Sequence, residues 1–237
     1  MPNKPFRFKQ FEIYQDHSAM KVGTDAILLS VWARVTKCYN ILDVGTGTGI
    51  ISLICAQRNS QAIIEGVEID AGGFEDATLN FSSSPWKDRL QAHHCDFLDF
   101  ETDKTYDVII SNPPYFSNSL RASDPSRSAA RHDDSLPAQA FLEKSAKLLK
   151  KEGVLAVIFP TNQMEKWEAE AKLHGLYSTR ICKVFTVPNR ESQRVMVEYK
   201  TSPLDYPEME SVLIEKSPGQ SSEHFKFLTR DFFLKAD

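Results

Sequence analysis

Residues 42–49 read Leu-Asp-Val-Gly-Thr-Gly-Thr-Gly, three glycines at alternate positions directly after an apolar run that starts near Asn40. Few local sequences restrict a fold as strongly. Glycine enters left-handed backbone angles without steric cost, so the run can bend tightly. With no Cβ in the way, a ligand can also approach the main chain to contact distance. A strand ending here must turn at once into the helix that follows.

The remaining chain repeats that strand-turn-helix unit. Apolar, β-rich runs at about 40–45, 63–68, 90–95, 106–111 and 153–159 alternate with segments of helical periodicity, the α/β pattern of a parallel sheet flanked by helices. The spacing predicts a helix over 137–151, carrying Phe141, Leu142, Leu148 and Leu149 with Gly153 as its stop, and another over 162–174. Two longer runs, 176–187 and 193–200, are joined by Pro188 to Ser192 and read as an antiparallel pair closing the sheet. Upstream, residues 5–15 alternate aromatic with polar side chains, as in a short strand or hairpin, and a helix follows to about Arg34. The tail adds the apolar run Val212 to Ile214 and the aromatic residues Phe225, Phe227, Phe232 and Phe233. We read 1–237 as one domain: an extension and helix over 1–38, a core over 39–200 and a tail over 201–237 packed on it. Residues 117–135 are serine-rich without periodicity, and loops of that length in compact domains are usually either functional or disordered.

Composition narrows the class of protein. A chain of 237 residues with 41% hydrophobic content can bury a substantial core, and a net charge of −4 disfavours coating nucleic acid by bulk attraction while permitting a local basic patch. The longest obvious apolar run, Val154 to Phe159, is too short to span a bilayer and no leader-like stretch opens the chain, so we expect a cytoplasmic protein. Cys38, Cys55, Cys95 and Cys182 have no paired spacing, which points to buried free thiols and to no metal site.

The candidate chemistry sits at successive strand ends. A nicotinamide fingerprint needs G-x-G-x-x-G, whereas here the third glycine comes one residue early and Ile50 fills the expected position. Glu68 closes the second strand, nineteen residues after Gly49, a spacing suited to a carboxylate that grips two ribose hydroxyls. Asp70 reads better as a helix cap. After the third strand, Asp96 offers an acceptor for an adenine amino group, beside the ring of Phe97. The fourth strand ends in Ser111-Asn-Pro-Pro-Tyr-Phe116. Pro113 and Pro114 fix φ and remove donors, leaving carbonyl oxygens as acceptors, and the Asn112 side chain adds another. Two acceptors can bind both hydrogens of a planar NH2 group and orient its lone pair for attack, while Tyr115, aided by Phe116, offers a face for stacking.

In their order on the strand ends, Asp43, Gly45, Gly47, Gly49, Glu68 and Asp96 resemble the S-adenosylmethionine site of class I methyltransferases, and the NPPY run resembles that of amino-group N-methyltransferases. The chain is similar over most of its length to the bacterial tRNA1(Val) adenine-37 N6-methyltransferases, through Phe8 to Phe11, Ala19 to Asp25, Leu42 to Gly49, Ser84 to Trp86 and Ile109 to Tyr115. The resemblance implies a doubly wound, Rossmann-like fold with a seven-stranded, mostly parallel sheet and an antiparallel last strand. It implies S-adenosylmethionine as methyl donor, a valine tRNA anticodon loop as substrate and a monomeric enzyme. Asn112, Pro113 and Tyr115 would then be catalytic. Thr24, Asp25, Ile69, Phe97 and Asn112 would join the six strand-end residues around the cofactor, although Thr24 and Asp25 equally fit a capped helix start.

Substrate contacts are expected from Pro114 and Phe116. If the strand before it runs parallel to the others, the loop 187–194 emerges beside NPPY and makes Arg190 and Arg194 candidates for RNA phosphate. Arg121, Arg127, Arg131, Lys4, Arg7 and Lys9 are further cations, each also readable as solvated surface. Methylation of a release-factor glutamine or of another nucleic-acid amino group is the rival enzyme activity, and a catalytically silent RNA-binding module the rival of another class.

Overall fold

The computed structural model describes residues 4–113 and 138–234. The extension forms a small antiparallel hairpin, β1 (Phe6–Arg7) and β2 (Glu12–Ile13), followed by α1 (Thr24–Trp32). The central elements then alternate: β3 (Asn40–Val44), α2 (Ile50–Arg58), β4 (Ile63–Glu68), α3 (Ala71–Ser82), β5 (Leu90–His94), β6 (Tyr106–Ser111), α4 (Ala138–Leu148), β7 (Leu149–Pro160), α5 (Met164–Leu173), β8 (Tyr177–Phe185) and β9 (Arg194–Lys200). The tail contributes β10 (Glu208–Leu213), a short hairpin of β11 (Glu215–Ser217) and β12 (Gln220–Ser221), and α6 (Glu223–Thr229).

The main sheet has the order β10-β8-β9-β7-β6-β3-β4-β5. Only β9 runs against its neighbours, pairing antiparallel with both β7 and β8, and β8 therefore points the same way as β7. The seven expected strands are present, and the tail run around Val212 becomes an eighth, pairing parallel with β8. The strand order reverses at β3, which lies between β4 and β6. In doubly wound sheets, ligands bind at that reversal, beyond the carboxyl ends of the strands.

Alternate residues of the central strands feed two cores, as a pleated strand with both faces covered requires. Ile41, Val108, Ile110, Ala156 and Ile158 pack toward α1, α2 and α3; Leu42, Ile109, Leu155, Val157 and Phe159 pack toward Phe141 of α4 and Trp167 of α5. The helix expected over 137–151 ends at Leu148, and Leu149 already belongs to β7. Pairing jumps from Tyr106↔Leu149 to Val108↔Val154, so the intervening lysines form a bulge. A Cβ at position 153 would lie 2.8 Å from the Tyr106 carbonyl oxygen, which makes Gly153 a point of close backbone approach within the strand instead of a helix stop.

A charged staple joins the tail to the core. Arg180 of β8, 9% exposed, lies 4.1 Å over the Trp32 ring, donates to both carboxylate oxygens of Glu210 on β10 at 3.0 Å, and reaches Glu198 on β9 at 3.5 Å. Burial raises the Glu198 carboxyl above its usual range despite the pull of Arg34 and Arg180. Removing one partner of a buried pair leaves the other uncompensated, so Arg180→Ala should destabilise the fold by about 3–5 kcal/mol in urea unfolding. A loss under about 1 kcal/mol, the range of an exposed pair, would show the staple to be idle.

Candidate active site

The glycine run performs the turn expected of it. Gly45, Gly47 and Gly49 all have left-handed φ, at +70°, +54° and +81°. Gly45 and Gly47 face open space on a cavity of about 560 Å³ at the carboxyl ends of β3, β4 and β6. Gly49 faces the other way and does not line it. A Cβ there would stand 2.4 Å from the Phe81 ring, so Gly49 packs the head of α2 against α3.

Asp43 requires a second correction. Expected among the cofactor contacts, it is fully buried beneath the turn and does not line the cavity. Its Oδ2 accepts from Thr46 Oγ at 2.6 Å, Ser52 Oγ at 2.7 Å and Ser52 N at 3.1 Å, tying the turn to the first helical residues of α2. Burial pushes its carboxyl up to about 6, against the pull of these hydrogen bonds.

Glu68, Ile69, Asp96 and Phe97 do line the cavity. Glu68 is 8% exposed; Oε2 accepts from Gly47 N at 2.7 Å and Oε1 from Asp70 N at 2.9 Å. A carboxylate offers about four lone-pair sites, so both oxygens retain capacity for ligand hydroxyls. Asp70 caps α3 by accepting from Gly73 N at 2.7 Å. Asp96 caps the short 3-10 turn Phe97–Asp99 through Leu98 N at 2.8 Å, while Phe97 packs 5.6 Å from the Phe141 ring. Ile69 is 56% exposed, an apolar surface at the cavity.

Thr24, Asp25, Asn112 and Pro113 meet the same space. Pro114, Tyr115 and Phe116, with the cations Arg121, Arg127 and Arg131, lie outside the described residues. Arg190 is exposed in the β8–β9 connection and is not part of the cavity wall. Arg194, expected to meet RNA, donates from Nε to Asp25 Oδ2 at 2.9 Å.

Other contributors escaped the sequence reading. Ser111 lines the cavity, and its hydroxyl donates to the Val44 carbonyl at 2.8 Å, clamping the ends of β3 and β6 where the crevice opens. Ser18 and Met20 join Lys21 and Val22, part of the 21–25 segment that the resemblance implies lies over the cofactor, in a wall from the N-terminal extension. That wall rests on Asp76 and Asn80 of α3, two polar residues in the buried stripe that also contains Gly73, Ala77 and Phe81. Their position on a core-facing helix stripe was the available signal.

Residues 16–180 match the family model of the methyltransferase small domain. The chain is 43% identical over 234 residues to a tRNA1(Val) (adenine(37)-N6)-methyltransferase of Phocaeicola vulgatus, covering 99% of each chain. It belongs to that family. A second family member, from Aliivibrio fischeri, is 41% identical with 98% of each chain covered. Among solved structures, a predicted O-methyltransferase from Agrobacterium tumefaciens superposes with a TM-score of 0.65 over 88% of this chain and 96% of that one. At 18% identity that likeness establishes the class I methyltransferase fold alone.

The Asp43 carboxyl provides a test of the turn. Its folded value, about 6, lies above the ordinary 3.8, so the folded chain holds more protons than the unfolded one between those values. This group's contribution to stability therefore falls as pH rises through that window. Asp43→Asn removes the slope, and its stability relative to the parent chain should rise from about pH 4 to about pH 7 in urea titrations. A constant difference would place the carboxyl outside this window.

Proposed function

We propose that the chain transfers a methyl group from S-adenosylmethionine to N6 of adenine-37 in tRNA1(Val), acting as a single chain in the cytoplasm. The observation that carries this reading is that Asn112 and Pro113 share one cavity with the glycine turn and Glu68, at the strand-order reversal.

The cavity's acceptors and apolar surfaces fit the cofactor. A volume of about 560 Å³ lies within the range of small-molecule sites. Glu68 has lone pairs to spare for ribose hydroxyls, each such charge-assisted bond contributing roughly 1.5–3 kcal/mol. Asp96, which lines the cavity, would accept from an adenine amino group, and Ile69 and Phe97 would supply apolar surface for the base. When bound, the cofactor supplies an electrophilic methyl group on a sulfonium.

The protein's work is then positioning. The Asn112 side-chain oxygen and the Pro113 carbonyl take the two hydrogens of the target amine and direct its lone pair, which conjugation otherwise draws into the ring. Tyr115 would support the ring by stacking, worth roughly 1–3 kcal/mol. A base in a flexible anticodon loop leaves its stack more readily than one in a duplex. Arg190 stands on the connection after β8, at the same carboxyl end of the sheet as Asn112, where a phosphate of that loop could meet it.

Purified protein should transfer labelled methyl to unmodified valine tRNA, and nucleoside analysis should find N6-methyladenosine at position 37. Transfer to a release factor with none to tRNA would overturn the proposal. Because Asn112 acts on the reacting nitrogen, Asn112→Ala should lower turnover by roughly 10²- to 10³-fold while calorimetry shows unchanged cofactor affinity.

A further inference from the structure

Residues 14–23, between β2 and α1, form no regular element, yet their main chain is held by two buried side chains one turn apart on α3. Asn80, 1% exposed, accepts from Tyr14 N at 2.8 Å and donates to the Tyr14 carbonyl at 2.8 Å and to the Thr48 carbonyl of the glycine turn at 2.9 Å. Asp76, also 1% exposed, receives Ser18 N at 2.7 Å, Ser18 Oγ at 2.6 Å and His17 N at 3.2 Å, with His17 Nδ1 at 3.1 Å from its other oxygen. Residues three and four apart share a helix face, so the two act as successive pegs on one rail.

The glycine pair at the start of α3, a poor choice for a helix opening on propensity alone, belongs to the same device. A Cβ at Gly72 would stand 2.4 Å from the His17 carbonyl oxygen, and one at Gly73 would stand 3.0 Å from Glu68 Cγ. The pair lets the extension lie against the helix and lets Glu68 fit beside it. Beyond Ser18, the last residue that Asp76 holds, the chain continues as Ala19 to Gly23, mostly exposed, and closes one side of the cofactor cavity. Gln15 closes this segment on itself by accepting Val22 N at 2.9 Å.

We propose that Asp76 is a positioning residue for cofactor binding: through His17 and Ser18 it fixes the 18–25 wall over the cavity, without touching the cofactor itself. This rests on the cofactor assignment above. A carboxylate that joined only core elements would affect stability alone. Asp76 holds the start of a wall whose other footings lie further along, at Val22 on Gln15 and the core and at Asp25 on Arg194, and its removal lets Ser18 and the exposed residues after it drift.

The test compares Asp76→Ala, Asp76→Asn and Gly72→Ala with the parent full-length chain. S-adenosylmethionine affinity is measured by calorimetry, KM and kcat with saturating valine tRNA, and unfolding without cofactor. Asp76→Ala should raise Kd and KM for S-adenosylmethionine by about tenfold or more, with kcat at saturating cofactor within about twofold, since small misplacements of contacting groups are costly. Asp76→Asn keeps an acceptor for Ser18 and should recover most of the affinity. Gly72→Ala displaces His17 without deleting a hydrogen bond and should weaken the cofactor in the same direction, so the test survives if Asp76→Ala does not fold. Lower unfolding midpoints with cofactor Kd unchanged in both Asp76→Ala and Gly72→Ala would overturn the proposal, as would a loss confined to kcat. Failure of the parent chain to bind S-adenosylmethionine would instead strike the cofactor assignment.

Discussion

Between β3 and α2 the main chain turns over a carboxylate that water cannot reach, and the arrangement of the cavity follows from what that carboxylate holds. Asp43 collects the Thr46 hydroxyl and both the amide and hydroxyl of Ser52 on a single oxygen. This fixes a turn whose three glycines would otherwise be its loosest part. The stiffened turn offers Gly47 N to Glu68, so the acidic end of β4 is oriented by the backbone of β3's turn. Charge therefore costs stability at the base of the site and supplies recognition at its rim.

Much of this was legible locally. The glycine spacing, the apolar runs and the proline pair each encode their geometry within a few residues, and the sheet order, the carboxyl-end cavity and the places of Glu68, Asp96, Asn112 and Pro113 agree with them. What was not legible depends on partners distant in sequence. Asp43 looks the same whether it faces a ligand or the protein, and only Thr46 and Ser52, brought round by the turn, decide between the two. Leu149 continues the helical pattern of α4 but is captured by Tyr106 across the sheet. The tail strand β10 exists because β8 leaves an edge, which no local propensity records.

Cations illustrate the same limit. Arg58 donates to the Ser30 and Ala33 carbonyls near the end of α1, and Arg89 to the Ala56 carbonyl near the end of α2, with a second bond to the Ala62 carbonyl just before β4. Such donors satisfy carbonyls that a helix end leaves without partners. With Arg180 and Arg194 also engaged internally, several of the chain's arginines serve the fold, and a count of positive charges says little about where RNA would lie.

The hairpin at the start of the chain is founded on its end. Phe8 forms a β-bridge with Phe233 and stacks on its ring at 5.7 Å, Lys9 N donates to the Phe232 carbonyl at 2.8 Å, and Phe11 stacks on Phe8 at 4.6 Å. These contacts join residues at nearly the greatest sequence separation within the described fold. Closing so long a loop costs chain entropy before the contact repays it, so pairings of this kind form late. The glycine turn and the central strands, whose partners lie nearer in sequence, can thus assemble while the hairpin still lacks its aromatic footing. The wall of the cavity is in this sense the slow part of the site, and the turn the fast one.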